Sequence, residues 1–351
     1  MRASCEGAGV TGGWPANVCI SAVFYPISWP SNPLSCYLRA PLMTGTVSDG
    51  KFTNKAAGFD APTQSPVDDE QHRQWQLANK AWWERTPMRY DWREELESSH
   101  ATADYFAEID RRFYSSVRRF LPWRTIPFDT LISFDKLSSE DVLEIGVGHG
   151  SHAQLLAPRT RSYVGIDLTA EATEMTSKRL AMTNTPGKIL QMDAEAMNFA
   201  DGSFDFIWSW GVIHHSADTG RILKEMHRVL RPGGHCTVMV YYRSWWSYYL
   251  FAFLKVLLEG RLPSRSRIRE VRQQTTDGAI ARYYTCAEWN SFAGDLFNVK
   301  SSVYGMCIEA IPLPHGGLKR LLARILPDSV ARFMTHRLAM GSFLIAQMTK
   351  R

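Results

Sequence analysis

Three glycines and two acids crowd the stretch DVLEIGVGHGSH, residues 141–152. Gly146, Gly148 and Gly150 leave the backbone free to turn tightly and let a ligand approach main-chain amides with no Cβ between them. Farther along, VGID closes on Asp167, and a carboxylate there is placed to accept hydrogen bonds from ribose hydroxyls, strengthened by its charge. GVIHH contributes two neighbouring imidazoles, His214 and His215, a side chain whose ordinary pKa near neutrality suits proton removal from a reacting group. Glycine-opened backbone and a carboxylate together point to a nucleotide-like cofactor.

These residues need elements to hold them. DVLEIG reads as a short buried strand. SHAQLLA reads as a helix start, with Ser151 and Gln154 spaced as in a capping box and Pro158 as its stop. RSYVGID is the next strand, followed by a helix from about Thr169 to Met182. GKILQMD and FDFIWSW are further strands. Ile222, Leu223, Met226, Val229 and Leu230 share a helical face, RPGG reads as a turn, and HCTVMVYY as the fifth strand. This alternation predicts an α/β fold with a doubly wound parallel sheet, whose ligand lies at the carboxyl ends of the strands.

The loop discriminates between cofactors. A dinucleotide fingerprint of G-x-G-x-x-G needs glycine at 151, where Ser151 stands. Glu144, two residues before the first glycine, is awkward for a pyrophosphate and helpful for a cationic methionine moiety, so the loop favours the sulfonium S-adenosyl-L-methionine. An NAD(P)-dependent oxidoreductase on a related sheet remains the alternative, as does a cofactor-binding partner subunit without catalysis.

LEIGVGHG, VGIDLT, MDAEAMNFADGSFDFIW, GVIHH and VLRPGGH resemble, in order and spacing, the class I S-adenosylmethionine-dependent methyltransferases, in the branch that includes ubiquinone and menaquinone methyltransferases. The resemblance is strong over residues 141–241 and implies a mostly parallel seven-stranded sheet. ERTPMRYDW, DRRF and TTDGAIARYYT also look like parts of an uncharacterised bacterial subgroup of that branch. It implies that Glu144, Gly146, Gly148 and Gly150 hold the methionine end and the ribose side of the donor, Asp167 the two ribose hydroxyls and Leu168 an adenine face. It further implies that Asp193 accepts from the adenine amine, that the Ala194 amide donates to the ring, and that Ser209 and Trp210 line the cleft near the methyl group. No metal is expected. The His pair is also a loop-stabilising feature of that family, so proton transfer by His214 or His215 stands beside a structural role. Tyr241, Tyr242, Tyr283 and Tyr284 are candidates for orienting an acceptor. His149 and His152 read as cofactor-shell or surface residues.

The acceptor is expected to be a small molecule, methylated at oxygen or carbon. Base-methylating relatives carry Asn or Asp, Pro-Pro and an aromatic after the fourth strand, where this chain reads SWGV, and no RNA- or DNA-binding signature accompanies the net charge of +5. Six scattered cysteines with no C-x-x-C pair argue against a disulfide framework or zinc site, and a reducing cytoplasm is the expected compartment. Residues 1–69 read as an extension without a stable fold, with Met43 as an alternative start, and 70–140 as a helical cover. In the cover, Tyr105, Phe106, Ile109, Phe113 and Val117 share one helical side, for plain packing or for closure over a cleft. The methyltransferase domain then runs over 141–351, with insertions at about 242–285 and 306–340. SWWSYYLFAFLKVLL is too short to span a bilayer, and reads either as a lid on an apolar acceptor pocket or as an interfacial helix. Leu318, Leu321, Leu322 and Ile325 mark a second basic amphipathic helix, which leaves peripheral membrane contact open.

Overall fold

Each strand of the glycine-loop region alternates its side chains between two packed faces. The computed structural model that shows this describes residues 63–90, 101–311, 313 and 316–351, all within one unit, Gly45–Arg351. The expectations for residues 1–62 lie outside the described residues.

Helices α1 (Asp69–Arg85), α2 (Ala103–Phe120) and the short α3 (Phe134–Leu137) precede the sheet. The sheet region then runs β1 (Asp141–Ile145), α4 (Ser151–Leu156), β2 (Ser162–Asp167), α5 (Ala170–Met182), β3 (Lys188–Gln191), β4 (Phe204–Trp210), α6 (Thr219–Val229) and β5 (Leu230–Tyr242). After it come α7 (Phe251–Leu258), α8 (Arg265–Thr275), β6 (Tyr283–Tyr284), α9 (Cys286–Gly294), β7 (Phe297–Tyr304), α10 (Gly317–Ile325), α11 (Asp328–Arg332) and β8 (Phe343–Lys350). Strand order is β3-β2-β1-β4-β5-β8-β7, parallel through β5, with β8 antiparallel to both β5 and β7.

Among the described residues the sheet has eight strands in place of the seven expected. The extra one, β6, is a two-residue strand that pairs in parallel with Tyr241 and Tyr242 at the end of β5. RPGG is not a turn between helix and strand: β5 begins at Leu230 and runs through it, with a register shift against β4 at Phe204 and Phe206. A bulge absorbs the extra residues while the strand continues. The Ser151 capping box is absent as well, because Gly150 is the N-cap and makes no side-chain bond. The Gln154 side chain instead bonds Thr183 and Thr185.

Burial on both sides explains the near-continuous apolar strands. Leu143, Ile145, Ile207 and Val238 face α6 and α9, where Ile222, Leu223, Met226, Val229 and Trp289 are packed. Burying each of the four α6 side chains contributes about 1.5–3 kcal/mol. Val142, Phe206 and Trp208 face the opposite layer, formed by Phe113, Tyr114, Val117 and Phe120 of α2, Leu156 of α4 and Leu180 of α5. Caps fix the helices that matter to the cleft: Asp68, Thr102, Thr169 and Asp218 each accept from first-turn amides of α1, α2, α5 and α6.

Candidate active site

A cavity of about 650 Å³ opens where β1, β2, β4 and β5 end, the position that a doubly wound sheet reserves for ligands. The loop after β1 forms its floor. All three glycines take positive φ, at +82° for Gly146, +50° for Gly148 and +78° for Gly150, a region costly for residues with a Cβ. Their reasons differ. A Cβ at Gly146 would lie 2.2 Å from Cγ2 of Val212, whereas a Cβ at Gly148 would meet nothing within 4 Å. Gly146 therefore serves close packing, and Gly148 leaves room at the cavity wall.

The glycine amides themselves are engaged within the protein. Gly146 N donates to the Ile166 carbonyl at 2.8 Å and Gly150 N to the Val147 carbonyl at 2.9 Å, while Gly148 N donates to Asp167 Oδ2 at 3.2 Å. What Gly148 offers the cavity is space more than a donor. Helix α5 ties down the loop from the other side: Thr176 Oγ1 donates to the Gly148 carbonyl at 2.8 Å and Arg179 Nη1 to the His149 carbonyl at 3.2 Å.

Asp167, Leu168, Asp193, Ala194 and Trp210 all line the cavity, with Gly146 and Gly148. Asp167 Oδ1 accepts from the amide and hydroxyl of Thr169 at 3.0 and 2.8 Å, and burial pushes its carboxyl above the usual carboxylate value. Asp193 Oδ1 accepts from the Glu195 amide and Oδ2 from Gln76 Nε2, each at 2.8 Å. A carboxylate oxygen has two lone pairs, so Asp193 keeps acceptor capacity after these bonds.

Three expected donor residues fall outside the lining. Glu144 shares the face of Val142, is 1% exposed, and accepts from the Tyr163 hydroxyl at 2.5 Å. Its other oxygen has no hydrogen-bond partner among the described residues, and burial raises its pKa to about 8. Gly150 abuts Thr176 and Arg179 of α5. Ser209 is fully buried, with its hydroxyl donating to the Ile145 carbonyl at 3.2 Å. Strand alternation accounts for Glu144 and Ser209, since a neighbour at one residue's remove points to the other side.

The catalytic candidates part in the same way, His214 and His215 because neighbours on the one-turn 3-10 helix Ile213–His215 point in different directions, and the tyrosine pairs by strand alternation. His215 lines the cavity, and its Nδ1 bonds the Ile280 carbonyl at 2.7 Å. A carbonyl only accepts, so Nδ1 carries the hydrogen and Nε2 the lone pair of the neutral ring. His214 does not line the cavity. It is fully buried against Tyr241 at a centroid distance of 4.1 Å, its two nitrogens have no hydrogen-bond partner among the described residues, and burial drives its pKa well below the ordinary imidazole value. Tyr284 is likewise a core residue: fully buried, it donates to Thr219 Oγ1 at 3.1 Å and packs on Trp289. Tyr241 and Tyr283 line the cavity in its place, and Tyr242 does not. Burial raises the pKa of both lining phenols, so they stay protonated and able to donate.

Several lining residues carried no local signal. Gln76, Asn79 and Trp83 come from α1, which covers the cavity through Gln76–Asp193 and the 2.6 Å contact of His72 with Glu195. Ile109, Phe113 and Val117 of the α2 stripe line the cavity while also packing, so both readings of that stripe hold. Arg272, Thr276 and Asp277 add a polar pole beside Tyr283, with Arg272 5.4 Å from the Tyr283 ring centroid. His149 is held by the Tyr105 hydroxyl at 2.9 Å and by Glu171 at 3.0 Å. His152 lines the cavity among Phe113, Phe128, Trp208 and Trp210, with neither nitrogen hydrogen-bonded among the described residues and burial lowering its pKa to about 3.

Comparison with known proteins meets this geometry. Residues 143–238 match the family model described as the methyltransferase domain. The ubiquinone/menaquinone biosynthesis C-methyltransferase of Geotalea daltonii is 36% identical over 125 residues, 33% of this chain and 53% of that protein. A phthiotriol/phenolphthiotriol dimycocerosates methyltransferase of Mycobacterium ulcerans is 37% identical over 103 residues, 28% of this chain and 37% of that protein. The chain thus spans about half or less of the length of these curated relatives. A crystal structure of an S-adenosylmethionine-dependent methyltransferase, a possible histamine N-methyltransferase, from Thermotoga maritima is 19% identical with a TM-score of 0.42, covering 72% of this chain and 100% of that one. Sheet, loop and matched segment define the class: a Rossmann-like methyltransferase domain. Over residues 143–238 the chain matches the methyltransferase domain, and ubiquinone/menaquinone C-methyltransferases are among the proteins it is similar to.

Proposed function

We propose that the protein transfers a methyl group from S-adenosylmethionine to oxygen or carbon of a small, hydrophobic molecule. The observation that carries this reading is the lining of one cavity. It combines Asp167, Asp193, Gly148 and Ala194 at the strand ends with an apolar set, Pro87, Met88, Phe113, Phe120, Met239, Met306 and Phe343, besides the polar group of Arg272, Thr276 and Asp277. Relatives named for ubiquinone/menaquinone biosynthesis, for phthiotriol/phenolphthiotriol dimycocerosates and for 27-O-demethylrifamycin SV support an apolar acceptor.

The residues present fit the donor. Room at Gly148, the Asp167 carboxylate and the pair Asp193 and Ala194 form a cradle for methionine, ribose and adenine portions. S-Adenosylmethionine, when bound, supplies an electrophilic methyl group on a sulfonium. The protein's own contribution is alignment in a dry pocket, because in-line displacement depends on holding nucleophile and carbon close. The aromatic and methionine walls exclude water from the acceptor side. Tyr241, Tyr283, Thr276 and Arg272 orient a polar group at the far pole. Nε2 of His215 takes the proton from the acceptor hydroxyl or activated carbon as that atom gains the methyl group.

Incubation of the full chain with methyl-labelled donor and a panel of hydrophobic phenols, quinols and enols tests the reading by mass spectrometry. Label in such a product supports it. Donor binding by calorimetry with no labelled product across the panel and in cell extracts would overturn catalysis, and saturable NADH binding in place of the donor would overturn the cofactor.

A further inference from the structure

Thirteen of the sixteen exposed large hydrophobic residues among the described residues fall between Trp245 and Leu338. They belong to two segments that meet in space. Trp245 Nε1 donates to the Leu338 carbonyl at 3.1 Å, and the Lys319 amine lies 5.2 Å from the Phe251 ring centroid. Helix α7 buries Ala252 and Val256 against Val271 of α8 and turns Leu254, Leu257 and Leu258 outward, Leu258 at 89% exposure. Helix α10 is inverted relative to an ordinary surface helix. Lys319 and Ala323 are buried, while Leu318, Leu321 and Ile325 are exposed, Ile325 at 67%. A monomer surface seldom shows so concentrated an apolar area without something to cover it.

Charge identifies what covers it. Residues 245–275 and 316–340 hold eleven basic and three acidic residues, a net +8, although the whole chain carries only +5. Exposed Lys255, Arg265, Arg320, Arg324 and Arg337 accompany the leucines. A second copy of the same face would set exposed cations such as Lys255, Arg320, Arg324 and Arg337 against their like, which opposes self-pairing. Apolar side chains, an exposed Trp245 and Tyr249, and surrounding cations together match the interfacial region of an anionic bilayer. No described helix is long and apolar enough to cross a membrane. We propose that the face formed by α7, α10 and α11 docks the protein peripherally on an anionic lipid surface.

The face also adjoins the cavity. Trp246 Nε1 donates to the Glu309 carbonyl at 2.8 Å, and the Glu309 carboxyl accepts from the amide and hydroxyl of Ser342, a cavity-lining residue, at 2.9 and 2.7 Å. A lipid-dissolved molecule would therefore meet the protein near the apolar end of its cavity. Docking itself does not depend on the proposed reaction.

Flotation of the full chain with vesicles of phosphatidylcholine, alone or mixed with phosphatidylglycerol, tests the docking. The expected result is association with the anionic vesicles, weakened by salt. Each exposed arginine adds about fivefold to such partitioning, so Arg320→Glu with Arg324→Glu should lower it by more than tenfold, roughly the effect of losing two cations. Leu254→Glu with Leu258→Glu should abolish it, and Met182→Glu, on α5, should leave it unchanged, with circular dichroism confirming that each variant folds. Absence of vesicle association, equal loss in the Met182→Glu control, or a solution dimer that Leu258→Glu dissociates while no vesicles are bound would each overturn the proposal.

Discussion

The amide of Gly148 donates to Oδ2 of Asp167 at 3.2 Å, joining the loop after β1 to the end of β2. The residue that leaves space in the cavity wall also orients the carboxylate beside that space. Thr169 holds the other oxygen, so the carboxylate is set before any ligand arrives, and less ordering remains to be done on binding.

Asp167→Ala should weaken S-adenosylmethionine affinity by roughly 1.5–3 kcal/mol, the range for hydrogen bonds involving a charged group. Calorimetric titration measures it, and an unchanged dissociation constant would remove Asp167 from the ribose role.

Gly146 and Gly148 should respond differently to added bulk. Gly146→Ala forces a Cβ onto Val212, so thermal denaturation should show a destabilised protein. Gly148→Val places its branches in open space beside Asp167, at a backbone cost of about 1–2 kcal/mol for the left-handed conformation. A folded protein that no longer binds donor is the expected outcome, and full donor affinity in this variant would refute the cradle.

His215→Ala should lower kcat strongly while leaving the donor dissociation constant near its original value. His214→Phe, which replaces one buried ring with another, should retain turnover. Equal kcat for His215→Ala and the unaltered protein at saturating acceptor would demote both imidazoles to structural residues.

Glu144 yields a pH prediction. Burial raises its folded pKa to about 8, above the ordinary carboxylate value, so the fold favours the protonated form. That stabilisation is complete below the unfolded carboxylate pKa and is lost as pH rises through about 8. Glu144→Gln cannot ionise, and its melting temperature should fall less than that of the original chain as pH is raised across this window. Parallel curves would show that Glu144 does not titrate there.

Much of the site was legible because its signals are local. Gly146 and Gly148 follow an apolar run, Asp167 closes a strand and Asp193 follows one, and each lines the cavity. The capping box at Ser151 failed because Gly150 already terminates the loop in the left-handed region, leaving Ser151 inside the helix. Gln76 carried no signal at all: it reaches Asp193 from a helix 117 residues earlier in the chain.

By itself the sequence determined the succession of strands and helices, the loop stripped of Cβ atoms and the strand ends where ligands gather, because these follow from periodicity and backbone sterics within a few residues. Only the tertiary structure decided between neighbours: Trp210 over Ser209, His215 over His214, Tyr283 over Tyr284. It likewise turned Leu318, Leu321 and Ile325 of α10 outward and its lysine inward. Adjacent side chains leave the backbone in different directions, and which direction meets the cavity, the core or solvent depends on what distant segments pack there.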